Sequence, residues 1–406
     1  MPGLTQAVAS VLDRRLLAES DQPIALALSG GGDSVALALI ASAWAKTHGR
    51  SLLILTVDHG LNPASADWTK SCRDLAEQLG ADFQALTWTG PKPETGLPAA
   101  ARMARHRLLA DAARKGGASV ILMGHTASDA AEAAAMRQSG STTPDPREWA
   151  PSPVWPEGRR IQILRPMLTQ TRADLRTWLG AQGVSWIEDP GNADQRFARS
   201  RARVIGKLED SLAPSLQTII PLELSRAVDE NHGLVMPRVD LGRAEFLVAR
   251  ALNGIAAVCA GGGARLPRGE SLDRLTIALR GEGPVKMTLA GCLVMADANL
   301  IRWVRSGGDI RRSKSPDLHL AAGQSEVWDG RYEVSSTSPI QVSSVACHRS
   351  DLTPSHRAEI AKAPAQTRDG LPFVLEAASG VTVESLVLAR FQAAVGLFDR
   401  EAVSRR

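Results

Sequence analysis

The sequence predicts an α/β protein: a doubly wound, mostly parallel sheet followed by smaller α+β C-terminal domains. Three observations carry this. Between Pro23 and about Ile163, short apolar runs alternate with stretches of helical spacing. Past Glu209 the order shifts to helix, helix and neighbouring strands. From Leu320 the chain is strand-rich with Ser/Gly turns and closes on a helical stretch. Strands that alternate with helices pair in parallel, because each crossover lays a helix on the sheet and covers it.

Taken in order, "MPGLTQAVASVLDRRLLAES" reads as an amphipathic helix; it lacks the basic start, apolar run and small-residue site of a secretion signal. "IALALS" is a short apolar strand, and "SVALALIASAWAKTHG" is a helix ending at Gly49. "SLLILTVDHG", "DFQALTW" and "SVILMGHT" read as strands, interleaved with helices over "SADWTKSCRDLAEQLG", "LPAAARMARHRLLADAARKGG" and "ASDAAEAAAMRQSG". The Pro-rich "STTPDPREWAPSPVWPEG" predicts a loop, and "RIQILRPML" a return to strand. Residues Arg172 to about Lys207 read as helix, turn and basic helix. "IIPLELSRAVDENHG" predicts a linking helix. "VDLGRAEFLVARALNGIAAVCAG" and "SLDRLTIALRG" predict helices, "VKMTLAGCLVMADANLIRWVR" a hairpin-like pair of strands, and "SGGDIRRSKSPDLH" a polar, basic linker. These shifts suggest domains over residues 1–209, 210–305 and 306–406.

A chain of 406 residues has length for two or three domains and a full core. Hydrophobic residues make up 44% and charged residues 22%, with no apolar run long enough for a membrane span. The net charge of +4 with a pI near 9.0 is compatible with a nucleic-acid partner. Cys72, Cys259, Cys292 and Cys347 are far apart, with no CxxC and no zinc spacing, which predicts free thiols and a cytoplasmic location. Oligomeric state, a homodimer included, is not legible.

The most informative stretch is "LALSGGGDSVALALI", Leu26 to Ile40. Glycine accepts positive φ and lets backbone approach a ligand, and free N–H groups opening a helix form an anion site. A bare GGG is more often an empty turn. Here, however, Ser29, Gly30, Gly31, Gly32, Asp33 and Ser34 occupy the first strand-to-helix junction of an alternating pattern, where such sheets bind ligands. Asp33 beside a phosphate makes sense with Mg2+ between them. No GK[ST] follows the glycines, and GxGxxG spacing is absent. The string resembles the SGGxDS motif of the PP-loop ATP pyrophosphatases, which implies ATP split between the α- and β-phosphates.

Further motifs have physical readings of their own. His59 in "VDHGLN" tips an apolar strand, as a pocket or a capping histidine. Arg102 and Arg105 in "AARMARH" share one helix face, either solvated or with Arg105 as an anion clamp. His125 in "GHTASDAAE" ends a strand, with Asp129 and Glu132 three apart at the next helix start, where acids often merely complement the helix dipole. Together with "ILRPM", "WIEDPGNAD" and "RFARSRARV", these motifs resemble the tRNA(Ile)-lysidine synthetase family over the first ~205 residues. The likeness continues faintly through "TLAGC" and "VWDGRYEV". The chain departs from the family at Ser128, Ala130, His106 and Ser200.

The resemblance implies that Asp129 and Glu132 contact free L-lysine and that His125, with Asp33, Arg105 and Asp129, serves the reaction. It implies adenylation of C2 of the wobble cytidine in the tRNA(Ile) anticodon loop, then attack by the lysine ε-amine. The basic run Arg196, Arg199, Arg201, Arg203 and Lys207 holds no acid and suits a phosphate backbone. A tRNA-thiolating PP-loop enzyme is the nearest rival, but lacks its expected cysteine pair here. A GMP- or argininosuccinate-forming ligase leaves the basic run unexplained. A nucleotide-binding regulator without turnover is the alternative from outside enzymology.

Overall fold

A computed structural model describes residues 2–138, 145–188, 227–229, 233–313, 317–375 and 380–402. It forms two compact units: Met1–Leu216 with Phe398–Arg406, and Gln217–Leu397.

The first unit is built on six strands: β1 (Ile24–Ala27), β2 (Leu52–Asp58), β3 (Asp82–Thr87), β4 (Val120–Leu122), β5 (Trp149–Pro151) and β6 (Gln162–Leu164). Their order is β3-β2-β1-β4-β6-β5. All pairs are parallel except β5 with β6. The helices are α1 (Pro2–Arg15), α2 (Gly32–Thr47), α3 (Ser65–Leu79), α4 (Leu97–Lys115), α5 (Ala127–Gln138) and α6 (Arg172–Ala181). The period of two sorts each strand between two cores. Ile24, Leu26, Leu52, Ile54, Val120 and Leu122 pack with Leu12, Leu37 and Leu175 on one face. Ala25, Leu55, Ile121 and Ile163 pack with Leu109 and Ala113 of α4 on the other. With both faces covered, the strands read as the apolar runs the sequence shows.

β1 lies between β2 and β4, so successive crossovers run outward from it in opposite directions. The crevice at the carboxyl ends of β1 and β4 is the switch point where open α/β sheets bind ligands. The glycine turn leaves β1 there, and His125 follows β4.

One element of this unit departs from the sequence reading. The Pro-rich stretch read as a loop contains β5, whose Trp149 pairs with Leu164. It is an edge strand, the one place a sheet accepts a residue such as Pro151 that cannot donate.

The first unit also takes back the chain's last described residues. Glu401 is 4% exposed and forms an ion pair of 2.9 Å with Arg50, both side chains essentially without water contact. Leu17 N donates to Glu401 Oε2 at 2.8 Å, and Glu401 N donates to the Arg15 carbonyl at 2.7 Å.

In the second unit, β7 (Val228–Asp229), β8 (Leu234–Pro237), β9 (Val285–Leu289), β10 (Cys292–Ala296) and β11 (Leu300–Arg305) form an antiparallel sheet in the order β7-β8-β11-β10-β9. The Phe246–Gly261 helix packs on it, and its core includes Val387 and Phe391 of the Val387–Val395 helix. The hairpin-like pair is thus a three-strand meander, because Asp297 accepts from Asn299 N and Leu300 N and turns the chain once more. Of the linking helix, residues 227–229 are described, and Val228–Asp229 is strand. The expected linker after Arg305 holds the Gly307–Ser313 helix, anchored by Arg305 to Asp309 at 2.6 Å and Arg311 to Asp369 at 2.7 Å. Beyond it, two three-stranded sheets complete the unit. All four cysteines are free thiols. No helix among the described residues is long and apolar enough to cross a membrane.

Candidate active site

The glycine turn is held in shape by its two serines. Ser29 N donates to Ser34 Oγ at 3.2 Å, and Ser34 Oγ donates to the Gly31 carbonyl at 2.9 Å. The hydroxyl proton of Ser34, expected to face a ligand, is therefore committed within the turn. α2 opens at Gly32 with no side-chain cap, so its first-turn amides have no intrahelical partner, the arrangement that suits an anion.

The glycines serve packing as well as approach. A Cβ on Gly30, whose φ is +81°, would stand 2.3 Å from Ile187 Cδ1. One on Gly32 would meet the Trp186 indole at 3.4 Å. Ile187 N donates to the Gly30 carbonyl at 2.9 Å, so the start of "WIEDPGNAD" straps the turn. Trp186 Nε1 in turn donates to Glu188 at 2.7 Å. Gly124, at the end of β4, passes so near the start of α2 that a Cβ would come within 3.1 Å of the Asp33 and Ser34 backbone. This close approach brings the β1 and β4 exits together.

Asp33, Asp129 and Glu132 converge on one cation that the sequence reading missed. Arg172, the first residue of α6, donates through Nε to Asp33 at 3.1 Å and through Nη1 to Glu132 at 3.0 Å. Its Nη2 reaches Asp129 at 3.5 Å. Burial opposes the Arg172 charge, but the carboxylates outweigh it and raise its pKa above the usual arginine range. Burial pushes the Asp33 carboxyl up; Arg172 pulls it down, and Asp129 adds to the rise. A cation in the first turn of a helix opposes the macrodipole. That misfit, at "TRADL", is the signal that could have pointed to Arg172. α6 is itself capped by Thr171, which accepts from Asp174 N at 3.2 Å.

Asp129 closes the start of its helix and also faces the guanidinium of Arg172. One oxygen accepts from Thr126 N at 2.9 Å and Thr126 Oγ1 at 3.0 Å, closing the start of α5, while the other faces Arg172. Glu132 is buried at 4% exposure.

A second group gathers behind His125. Arg165, which follows β6 and is 6% exposed, donates through Nε to His125 Nδ1 at 3.2 Å and through Nη1 to the Arg147 carbonyl at 2.8 Å. Burial, with Arg102 and Arg105, lowers the Arg165 pKa to about 10, still charged at neutral pH. His106 is 1% exposed with neither ring nitrogen hydrogen-bonded, and burial beside Arg105, Arg102, Arg165 and His125 lowers its pKa to about 2. Arg105 also lowers the pKa of half-buried His59, after burial itself. Arg102 and Arg105 therefore lie near enough to Arg165 and His106 to act on their charge. Arg196, Arg199, Arg201, Arg203 and Lys207 lie outside the described residues.

Residues 4–208 match the PP-loop domain family. The tRNA(Ile)-lysidine synthase of Caulobacter vibrioides is 42% identical over 98% of this chain and 99% of its own length. The chain belongs to the tRNA(Ile)-lysidine synthase family. It is also similar to the synthases of Rhizobium meliloti, at 34% identity over 78% of this chain and 74% of that protein, and Hyphomonas neptunium, at 35% over 72% and 83%. In this member of the tRNA(Ile)-lysidine synthase family, two departures have local causes. Ser128 Oγ accepts from Arg172 N at 3.3 Å and so helps seat the new cation. His106 is buried as a neutral ring beside Arg102, Arg105 and Arg165.

Proposed function

We propose that the protein joins the ε-amine of free L-lysine to C2 of the wobble cytidine of tRNA(Ile), consuming ATP and releasing AMP and pyrophosphate. The observation that carries this is the convergence of Asp33, Asp129 and Glu132 on one guanidinium beside the glycine turn. A carboxylate set that holds a cation next to a phosphate-binding turn suits an amine nucleophile and a nucleotide together. Arg172 occupies the position the lysine ammonium needs, so the two cations exchange or share these carboxylates.

In this reading the amides of the turn bind the triphosphate, and Arg105 draws charge at the α-phosphate. The cytosine C2 oxygen attacks the α-phosphorus and pyrophosphate leaves. The lysine ammonium gives a proton to a neighbouring carboxylate, its nitrogen then bonds to C2, the C2–O bond breaks, and AMP departs with that oxygen. An anticodon loop presents its bases unstacked, which this chemistry requires.

Mg2+ suits Asp33, whose Oδ1 is buried without a hydrogen-bond partner beside the turn. Magnesium is held by one or two carboxylates plus substrate phosphates, and no larger cluster of ligands exists among the described residues. Bound there, it would neutralise phosphate charge. Arg196, Arg199, Arg201, Arg203 and Lys207 are assigned to the tRNA backbone, residues 210–305 and 306–406 to the tRNA body, and the protein to the cytoplasm.

The test is transfer of radiolabelled lysine to tRNA(Ile) transcripts with C or U at the wobble position. Label on C alone, dependent on ATP and abolished by Asp33→Ala, supports the proposal; label on U, or none, overturns it. Arg201→Ala and Arg203→Ala are expected to weaken tRNA binding and flatten its salt dependence.

A further inference from the structure

We propose that Arg165 holds His125 as the neutral tautomer protonated on Nε2, so that His125 acts in ligation as a hydrogen-bond donor and not as the base for the lysine amine. This rests on the reading above, which places His125 in the reaction pocket. Arg165 is the positioning residue.

The argument runs from donor inventories. An arginine Nε carries one N–H and no lone pair available to accept, so it can only donate. Arg165 Nε lies 3.2 Å from His125 Nδ1, and Nδ1 must therefore be the bare, accepting nitrogen. In a neutral imidazole the remaining proton is then on Nε2. Arg165 cannot turn away cheaply: it is 6% exposed, its Nη1 is bound to the Arg147 carbonyl at 2.8 Å, and its backbone N donates to the Glu148 carbonyl at 2.8 Å.

The Nδ1 lone pair is already engaged by Arg165. From α4, Arg102, Arg105 and His106 face this cluster, and from the β6 exit comes Arg165 itself. Asp129 on α5 is the carboxylate that acts on Arg165, and one of its oxygens is already spent on Thr126. Protonating Nδ1 would break the Arg165 bond and set one cation against another in a buried place. A ring whose Nδ1 is engaged and whose Nε2 bears hydrogen offers no lone pair to an ammonium. It offers an N–H to oxygen, which is what the phosphate of departing AMP presents. The ammonium must first give a proton to Asp129 or Glu132, the carboxylates beside it; the freed amine lone pair then forms the nitrogen–C2 bond as the C2–O bond breaks and AMP leaves.

Two readouts decide the matter. Nitrogen-15 spectra of histidine-labelled protein at about pH 8, with the His125 signal found by its loss in His125→Gln, should show hydrogen on Nε2 and none on Nδ1. Arg165→Met should let the proton distribute over both ring nitrogens, and Arg165→Lys should partly restore the wild-type pattern. In the lysine-transfer assay, His125→Gln places an amide donor near the position of Nε2. It should stay within about tenfold of wild type, while His125→Asn and His125→Ala fall at least ~100-fold, the scale of a lost proton-transfer or donor group. A proton on Nδ1 of the neutral ring, or His125→Gln as impaired as His125→Ala, overturns the proposal. Were wild-type protein to transfer no lysine, the function reading would fall, and the spectra would still decide the tautomer.

Discussion

Arg172 Nη1 stands 3.0 Å from Glu132 Oε1, and the same guanidinium reaches Asp33 at 3.1 Å. One side chain at the start of α6 thus joins the exits of β1 and β4. Arg172→Met is expected to leave three carboxylates facing one another without a counter-ion. The expected loss of stability is about 2–3 kcal/mol, below the ~3–5 kcal/mol of a fully buried pair because the guanidinium keeps some water contact. Urea unfolding measures it. The double variant Arg172→Met/Glu132→Gln should be less destabilised than the sum of its singles, since neutralising Glu132 removes part of the repulsion.

Gly30 and Gly31 should respond differently to alanine. Gly31 has φ −69° and ψ 154°, open to any residue, and a Cβ there would meet nothing nearer than Ser29 Oγ at 3.7 Å. Gly31→Ala is expected to unfold within about 1 kcal/mol of wild type and to act on ATP binding alone. Gly30→Ala combines a positive φ with the 2.3 Å encounter with Ile187, and should lose both stability and ATP binding. Thermal unfolding beside ATP–pyrophosphate exchange separates the two.

His106 sets a pH dependence of stability. Its folded pKa of about 2 lies far below the ordinary 6.5, so the unfolded chain binds the proton first. Stability is present above pH 6.5 and falls as pH drops below it, by about 1.4 kcal/mol per pH unit for this one group. His59, also lowered, adds to the slope in the same direction. Unfolding free energies between pH 7.5 and pH 5 (about) should flatten in His106→Phe, which also removes two buried nitrogens without partners.

Glu401→Ala should destabilise the first unit by about 3–5 kcal/mol, because it strands the buried Arg50 guanidinium. Glu401→Gln keeps an acceptor for Leu17 N and should lose less. Differential scanning calorimetry, read on the transition that ATP shifts, measures both.

Much of the first sheet was legible, because strands buried on both faces are unbroken apolar runs and each was followed by a helix with a glycine or basic end. The glycine turn was legible from six residues. What sequence could not supply was partnership across distance. Arg172 lies 139 residues from Asp33. It sat in an amphipathic helix that looked complete without it, and only its position against the helix dipole marked it. Arg165 hid inside an apolar strand motif. Glu401 looked like one more exposed acid, though its partner is 351 residues away. The short edge strand at Trp149–Pro151 was masked by prolines that an interior strand would exclude.

The return of residue 401 to Arg50 also orders the making of the protein. A ribosome delivers Arg50 long before Glu401, so until 351 further residues are made the Arg50 guanidinium has the Leu17 and Gln22 carbonyls but no carboxylate partner. Chains cut short in that interval lack the final clasp.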